Sequence, residues 1–297
     1  MTMAKSLGAF ETQFFAYAQM RRLQTVRLGE LAGPLRLSDI QERRLLSQLA
    51  RKGLIVRVIR GTYLVPARLP LGGAWSPDES RAIHGLMRAA GSPARSARRG
   101  GQGRPGAAAA ARYQIYGPNA FNRYGFDEQV PARTYLYNTR YSGDRRIGGV
   151  ALTLIKVDDR RLGGTEEFAA PEGRKLVYSS RVRTLVDAVY DWSRFDSLPR
   201  GYAWIKRELA AGRVCVEDLV RDTLRFGNQG TIRRMGHLLE QEGVADAQLR
   251  RLHKALRATT SLILWIPNAP RRGKVSRRWG VLDNQPVPSQ AMVRGVV

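Results

Sequence analysis

Four side chains with planar, hydrogen-bonding ends, Gln41, Arg44, Gln48 and Arg51, follow one another at separations of three, four and three residues. On a helix, at about 100° per residue, this spacing gathers them within an arc of about 80°, and Leu45, Leu46 and Leu49 fall on another side. Gln pairs bidentately with adenine, and Arg with guanine, in the major groove of duplex DNA. The arc therefore suits base reading, provided that a rigid apolar back carries it. The alternative is a solvated helix face on a segment that contacts only proteins.

Catalytic chemistry is harder to assemble. Asp158, Asp159, Glu166, Glu167 and Glu172, with Lys175, are the candidates for holding a divalent ion and stabilising phosphoryl charge, as a nuclease must. Their spacing matches no demanding metal motif, and residues 158–164, DDRRLGG, have the composition of a solvent turn. His84, His237 and His253 are scattered, so no zinc cluster has enough ligands and neither metal nor cofactor is expected. The single cysteine, Cys215, excludes an internal disulfide and, in the apolar run 214–216, reads as a buried packing residue rather than a nucleophile. The glycine pairs at 100–101, 148–149 and 163–164 complete no phosphate-cradling signature. The expectation is a binding protein that is not an enzyme. A metal-dependent nuclease delivered to DNA by its amino-terminal segment is the alternative.

Charge supports a polyanionic partner. The chain of 297 residues has 50 Lys+Arg against 25 Asp+Glu, a formal charge of +25 and a pI near 11.2. Residues 1–70 hold 12 basic and 4 acidic side chains, and residues 246–297 hold 10 and 2. The long stretch 113–245 is nearly balanced, at 21 and 17. Lys and Arg at the two ends can replace counterions condensed on phosphates. RNA would satisfy the same ends, with less support from the residue pattern. An anionic membrane would require a basic amphipathic helix with large apolar anchors, which neither end shows. With no run of about 18–20 apolar residues and no signal-like apolar start, the expectation is a cytoplasmic protein with no membrane partner.

The elements that must position the arc follow from periodicity and caps. Residues 7–20 place Phe10, Phe14, Phe15 and Ala18 at helical spacing, and residues 25–32 read as a short second helix stopped by Gly33-Pro34. Ser38 and Gln41 form a capping-box pattern that starts a third helix running to Lys52, with Gly53 after it. Strand-like runs at 54–59 and 62–65 flank an Arg60-Gly61 turn. Three helices and a hairpin within residues 1–70 are the order of a winged helix-turn-helix, a DNA-binding domain. On that plan Ser38, Gln41, Arg44, Gln48 and Arg51 of the third helix approach the bases. Arg57 and Arg60 clamp the neighbouring backbone, and Thr25 and Arg27 at the start of the second helix bind phosphate.

Beyond a linker, Ser76, Pro77 and Glu79 mark a fourth helix running to residue 90, with Ser76 as its N-cap. Residues 91–112 lack any large apolar side chain and read as a disordered insertion. Strands are expected at 113–116, 134–138, 150–157 and 175–179, forming a mixed sheet. Helices follow at 181–192, 200–211, 216–226, 231–241 and 245–258, then a strand at 262–266. The fold class is therefore α+β: a winged helix-turn-helix at 1–70, a mixed α/β domain with a helical C-terminal part at 74–283, and a flexible tail at 284–297. The run YGPNAFNRYG, 116–125, is either a recognition loop or a strand-to-helix corner in which Phe121 and Tyr124 fill the core and Asn122 caps.

Three stretches resemble the AbiEi family of type IV antitoxins: the amino-terminal run ending in KGLI, 52–55, and GTY, 61–63; YQIYGPNAFNRYGF, 113–126; and RTLVDAVYDW, 183–192. The likeness covers most of residues 7–282, with 91–112 reading as an insertion and 286–297 as an extension. The resemblance implies a transcriptional autorepressor that binds inverted repeats in double-stranded DNA upstream of its own operon. It also implies a second domain that counteracts a co-encoded nucleotidyltransferase-like toxin of a phage-defence system, without a cofactor.

Overall fold

The computed structural model describes residues 7–69, 74–90 and 111–285. Most of the expected insertion at 91–112 and tail at 284–297 lies outside these residues. Where described, both are part of the fold. Ala111 is buried and donates its N–H to Met87 O at 3.0 Å, and Arg112 pairs with Asp159 at 2.6 Å. Asn284, also buried, accepts from Ile266 N and donates to the Ile266, Ala269 and Pro270 carbonyls. Four hydrogen bonds on one amide make it a structural clasp rather than the first residue of a tail.

The chain is α+β and divides into two compact units. The division crosses the expected boundary at residue 70, because the first unit joins the amino-terminal segment to the mixed sheet: Met1–Ile115, Pro131–Gly163 and Glu167–Tyr178. It begins with α1 (Ala9–Met20), β1 (Thr25–Arg27), α2 (Asp39–Arg51), β2 (Val56–Ile59), β3 (Thr62–Leu64) and α3 (Glu79–Ala90). The first three strands form an antiparallel sheet in the order β1-β3-β2, with Thr25 opposite Leu64 and Val56 opposite the same residue. Phe14, Phe15, Val26, Leu31, Leu46, Leu49, Leu54 and Val65 fill the core beneath it.

The second helix expected at 25–32 is absent, and Thr25 and Arg27 lie on β1 instead. Val26 is fully buried and its backbone pairs opposite Tyr63, so a β-branched pair gains a sheet partner that local helical spacing could not reveal. Gly29, at φ 95°, turns the chain out of the strand. What remains of the helix is one turn, in which Leu35 N donates to Leu31 O at 3.0 Å, and Arg36 at φ 52° ends it.

The fourth helix begins later than expected. Asp78, not Ser76, caps it by accepting from Arg81 N at 3.0 Å, because the Ser76 hydroxyl accepts from Gly149 N at 2.8 Å. Next come β4 (Tyr113–Ile115), β5 (Thr134–Asn138), β6 (Gly143–Ile147), β7 (Val150–Lys156), β8 (Thr165–Ala169) and β9 (Lys175–Ser179), in a six-stranded sheet ordered β6-β7-β5-β4-β9-β8. β7 runs parallel to β5, and β4 is antiparallel to β5 but parallel to β9. The edge strands β6 and β8 were not expected: GDRRI and TEEFA are mostly exposed and charged, so they carry no apolar alternation.

The second unit comprises Tyr116–Val130, Gly164–Glu166 and Ser179–Val297. Its helices are α4 (Pro118–Arg123), α5 (Arg181–Tyr190), α6 (Trp192–Phe195), α7 (Arg200–Ala210), α8 (Val216–Phe226), α9 (Gln229–Gln241) and α10 (Asp246–Lys254). They are followed by β10 (Ile263–Leu264), β11 (Lys274–Ser276) and β12 (Val281–Asp283), ordered β10-β12-β11. Leu185, Ile205, Leu219, Met235, Leu252, Trp265 and Trp279 belong to one core. Trp279 lies so close over Gly236 that a Cβ there would meet its ring at 2.2 Å. No helix among the described residues is long and apolar enough to cross a membrane.

Two buried carboxylates hold these units. Glu42 of α2 is fully buried; its Oε1 accepts from Gly29 N at 2.9 Å and Leu31 N at 3.0 Å, and its Oε2 from Gly29 N at 2.9 Å. Replacing Glu42 with Ala should lower unfolding free energy by about 2–3 kcal/mol in denaturant melts, since buried donors lose a charged acceptor. In the second unit Glu208, 1% exposed, accepts from Arg181 at 2.8 Å and from Arg213 at 2.7 and 2.9 Å. The Arg213 hydrogen bonds, outweighing burial and joined by Arg181, hold its carboxyl below the usual glutamate value. Depression below the unfolded value gives a stabilisation present above about pH 4.3 and lost as pH falls through the folded value. Acid titration of stability should therefore be shallower for Glu208→Gln than for the unaltered chain.

Candidate nucleic-acid interface

The cap that starts α2 forms as expected: Ser38 Oγ accepts from Gln41 N at 3.2 Å, and Gln41 Oε1 accepts from Ser38 N at 2.8 Å. Leu45, Leu46 and Leu49 are buried, and Gln41, Arg44, Gln48 and Arg51 are exposed. Arg44, Gln48 and Arg51 make no side-chain hydrogen bond or ion pair to another described residue. Gln41 differs. With its carbonyl oxygen held by the cap, it retains only its amino group for an outside partner, and a bidentate adenine contact needs both. Ser38 Oγ spends one acceptor position on the cap and keeps its O–H to donate. The outward contacts available to α2 therefore concentrate in its last two turns.

The α2 face is framed by α1. Glu11 is buried, accepts from Gly8 N at 3.0 Å and pairs with Lys52 at 2.7 Å, tying the start of α1 to the end of α2. A groove of about 320 Å³ runs there, lined by Phe10, Glu11, Arg44, Gln48 and Lys52. Across the sheet, Ile59 faces Thr62, leaving Arg60 and Gly61 as a two-residue turn with Gly61 at φ 74°. Arg60 is exposed at this tip. Arg57 is exposed on β2 opposite Tyr63, its Nε donating to Ile59 O at 3.4 Å.

Two of the four acidic groups of this segment turn inward, and Glu30 and Asp39 are exposed. Glu11 and Glu42 are buried, and Glu30 accepts from Arg27 N at 2.8 Å. Guanidinium groups are left to dominate the outer surface. Thr25 and Arg27, moved to β1, line a second cleft of about 450 Å³ together with Tyr17, Arg21, Glu30 and Arg88. Arg21 and Arg88 were not singled out in the sequence. Arg88 reaches the cleft only because α3 packs on the three-stranded sheet, a contact with no local signature.

The carboxylates considered for metal binding are engaged separately. Asp158 accepts from Arg160 N at 3.0 Å and pairs with its guanidinium at 3.2 Å, Asp159 pairs with Arg112, and Glu167 with Lys175 at 2.7 Å. Glu172 pairs with Arg81 and Arg174. Glu166 accepts from the Tyr124 hydroxyl at 3.0 Å, and burial followed by the Glu166 charge pushes that phenol above its ordinary value. Among the described residues no three His, Cys, Asp or Glu side chains converge to hold a metal ion. Cys215 is not a packing residue. It is exposed at the start of α8, where Sγ accepts from Asp218 N at 3.5 Å and donates to Asp218 Oδ2 at 3.1 Å.

The segment 116–126 is a structural corner. Gly117, at φ 61°, approaches Phe195 so closely that a Cβ would meet its ring at 2.6 Å. Phe121 is buried against Trp204, with ring centroids 5.0 Å apart, and Phe126 stacks on Trp204 at 5.7 Å. Asn122 holds the exit rather than capping the entry, donating to the Asp127 and Glu128 carbonyls at 3.3 Å. On α5, Arg183 and Asp187 form a buried pair at 3.0 Å, and the Arg183 guanidinium lies 3.7 Å from the Phe226 ring centre.

No family model matches the chain, and no curated protein matches it. Among solved structures it is similar to the RV2827C protein from Mycobacterium tuberculosis, at 14% sequence identity and a TM-score of 0.52, over 95% of this chain and 94% of that one. At such identity the likeness concerns the fold alone.

Proposed function

We propose that residues 7–69 are a winged helix-turn-helix that binds double-stranded DNA, and that the chain is a transcriptional autorepressor and antitoxin of a type IV toxin-antitoxin operon. The observation that carries the reading is the outward set of Arg44, Gln48 and Arg51 on a helix whose opposite side is sealed by Leu45, Leu46 and Leu49. A helix so backed fits the roughly 12 Å major groove, where arginine reads guanine and glutamine reads adenine. Arg60 at the hairpin tip, with Arg57 beside it, supplies the backbone clamp. The order helix, strand, turn, helix, hairpin supports the winged assignment.

The chain acts in this reading by binding, with no cofactor, and inverted repeats in the operator would seat two copies. Its toxin partner is a co-encoded nucleotidyltransferase-like protein, counteracted through the remainder of the chain beyond residue 74. This part of the reading rests on the resemblance of residues 113–126 and 183–192 to AbiEi antitoxins.

Gel shifts with the region upstream of the chain's own reading frame test the DNA-binding claim; absence of salt-sensitive binding overturns it. Arg44→Ala should cost about 1–3 kcal/mol and relax preference at one base pair. Arg60→Ala should weaken all sequences equally and reduce the salt slope by about 1. In cells, Arg44→Ala should release the operon while still neutralising the product of a neighbouring toxin gene, a separation that a reporter assay and a growth assay read independently.

A further inference from the structure

The cleft of about 450 Å³ beside β1 gathers three arginines from three elements: Arg21 just after α1, Arg27 on β1 and Arg88 on α3. None makes a side-chain hydrogen bond or ion pair to another described residue. Glu30 is the one acid in the lining, and its carboxylate already accepts from Arg27 N. Like charges brought to one concavity repel, and a folded chain bears that cost where an anion is to be received.

A recess of about 60 Å³ shares Thr25, Gly85 and Arg88 with the cleft and adds Arg81, His84 and Arg174. Arg81 is 5% exposed; it donates to Val65 O at 2.5 Å and pairs with Glu172 at 3.5 Å, yet its Nε is buried with no partner. Burial holds His84 below its ordinary value, and the charges of Arg174 and Arg88 push it the same way. The recess is thus lined by three arginines, of which Arg81 and Arg174 share Glu172, with one buried donor, Arg81 Nε, still open. Tyr17, half-buried on the wall, offers an aromatic surface of the kind on which a base or a guanidinium stacks.

We propose that this cleft binds a phosphorylated small molecule of nucleotide size, its phosphates held by Arg21, Arg27 and Arg88 and its ring laid against Tyr17. The volume lies in the range of about 300–1,000 Å³ usual for small-molecule sites, and forked guanidiniums suit phosphate oxygens better than ammonium groups do. The occupant would touch Glu30 and Leu31, and Leu31 N is one of the two backbone donors held by Glu42 of α2. Occupancy is therefore placed to alter how α2 meets DNA; this last clause alone rests on the DNA-binding reading.

The test is calorimetric titration of the full chain with ADP, with inorganic pyrophosphate and with adenosine, in parallel with gel shifts. Saturable binding of ADP, weaker binding of pyrophosphate and none of adenosine is expected. Arg21→Ala and Arg88→Ala should each weaken ADP at least tenfold with unchanged circular dichroism. Arg44→Ala should keep ADP binding whatever it does to DNA, so the two readings fail separately. If Arg88→Ala does not fold, the exposed Arg21 decides alone. ADP binding unchanged in the Arg21 variant overturns the proposal. So does failure of both ADP and pyrophosphate to bind, including the case in which the arginine variants lose only duplex DNA and the cleft proves a contact for the DNA backbone.

Discussion

The carboxylate of Glu42 is the constraint on which the amino-terminal architecture depends. A charged group removed from water must be fully hydrogen-bonded, and this one takes the backbone N–H groups of Gly29 and Leu31. Those donors belong to the turn that leaves β1, and the acceptor belongs to α2. The bond set therefore fixes where the helix stands relative to the strand, with the leucine stripe inward and the arginines outward. A salt bridge at the surface would leave this angle loose. The Glu11–Lys52 pair ties the other end of α2 to α1 in a less complete way: Gly8 N and Lys52 Nζ both meet Glu11 Oε2, and Oε1 is buried with no partner.

Charge distribution follows from the same arrangement. The amino-terminal segment has four acids, two of them buried and spent on internal donors, and among the described residues its arginines form no ion pair with the exposed Glu30 and Asp39. In the second unit several arginines do meet carboxylates. Arg181 and Arg213 meet on Glu208, Arg278 bridges Glu240 and Asp246, and Arg251 pairs with Glu217. A large formal charge is thus expressed unevenly: partly paired where these helices pack, and exposed on the segment of β1–β3 and again at Arg271, Arg272, Lys274 and Arg277.

Features that depend on neighbours in sequence were legible. The Ser38–Gln41 cap, the leucine stripe of α2, the Arg60-Gly61 turn and the apolar strands β5, β7 and β9 all carry their determinants within a few residues. Features set by distant partners were not. Residues 25–32 have acceptable helical spacing, but Val26 is worth more opposite Tyr63 than in an isolated turn. β6 and β8 are edge strands whose charged sequences resemble loops. Ser76 has the right type for a cap, yet Gly149 claims its hydroxyl. Arg88 was invisible as a site residue because nothing near it in the chain announces the cleft it enters.

The double use of Gln41 sets a limit on substitution. A residue that both closes the first turn of α2 and faces outward cannot lose its side-chain carbonyl without leaving the Ser38 N–H open. Arg44, Gln48 and Arg51 carry no such second task, so those three side chains can change while every backbone donor at the start of the helix keeps its partner.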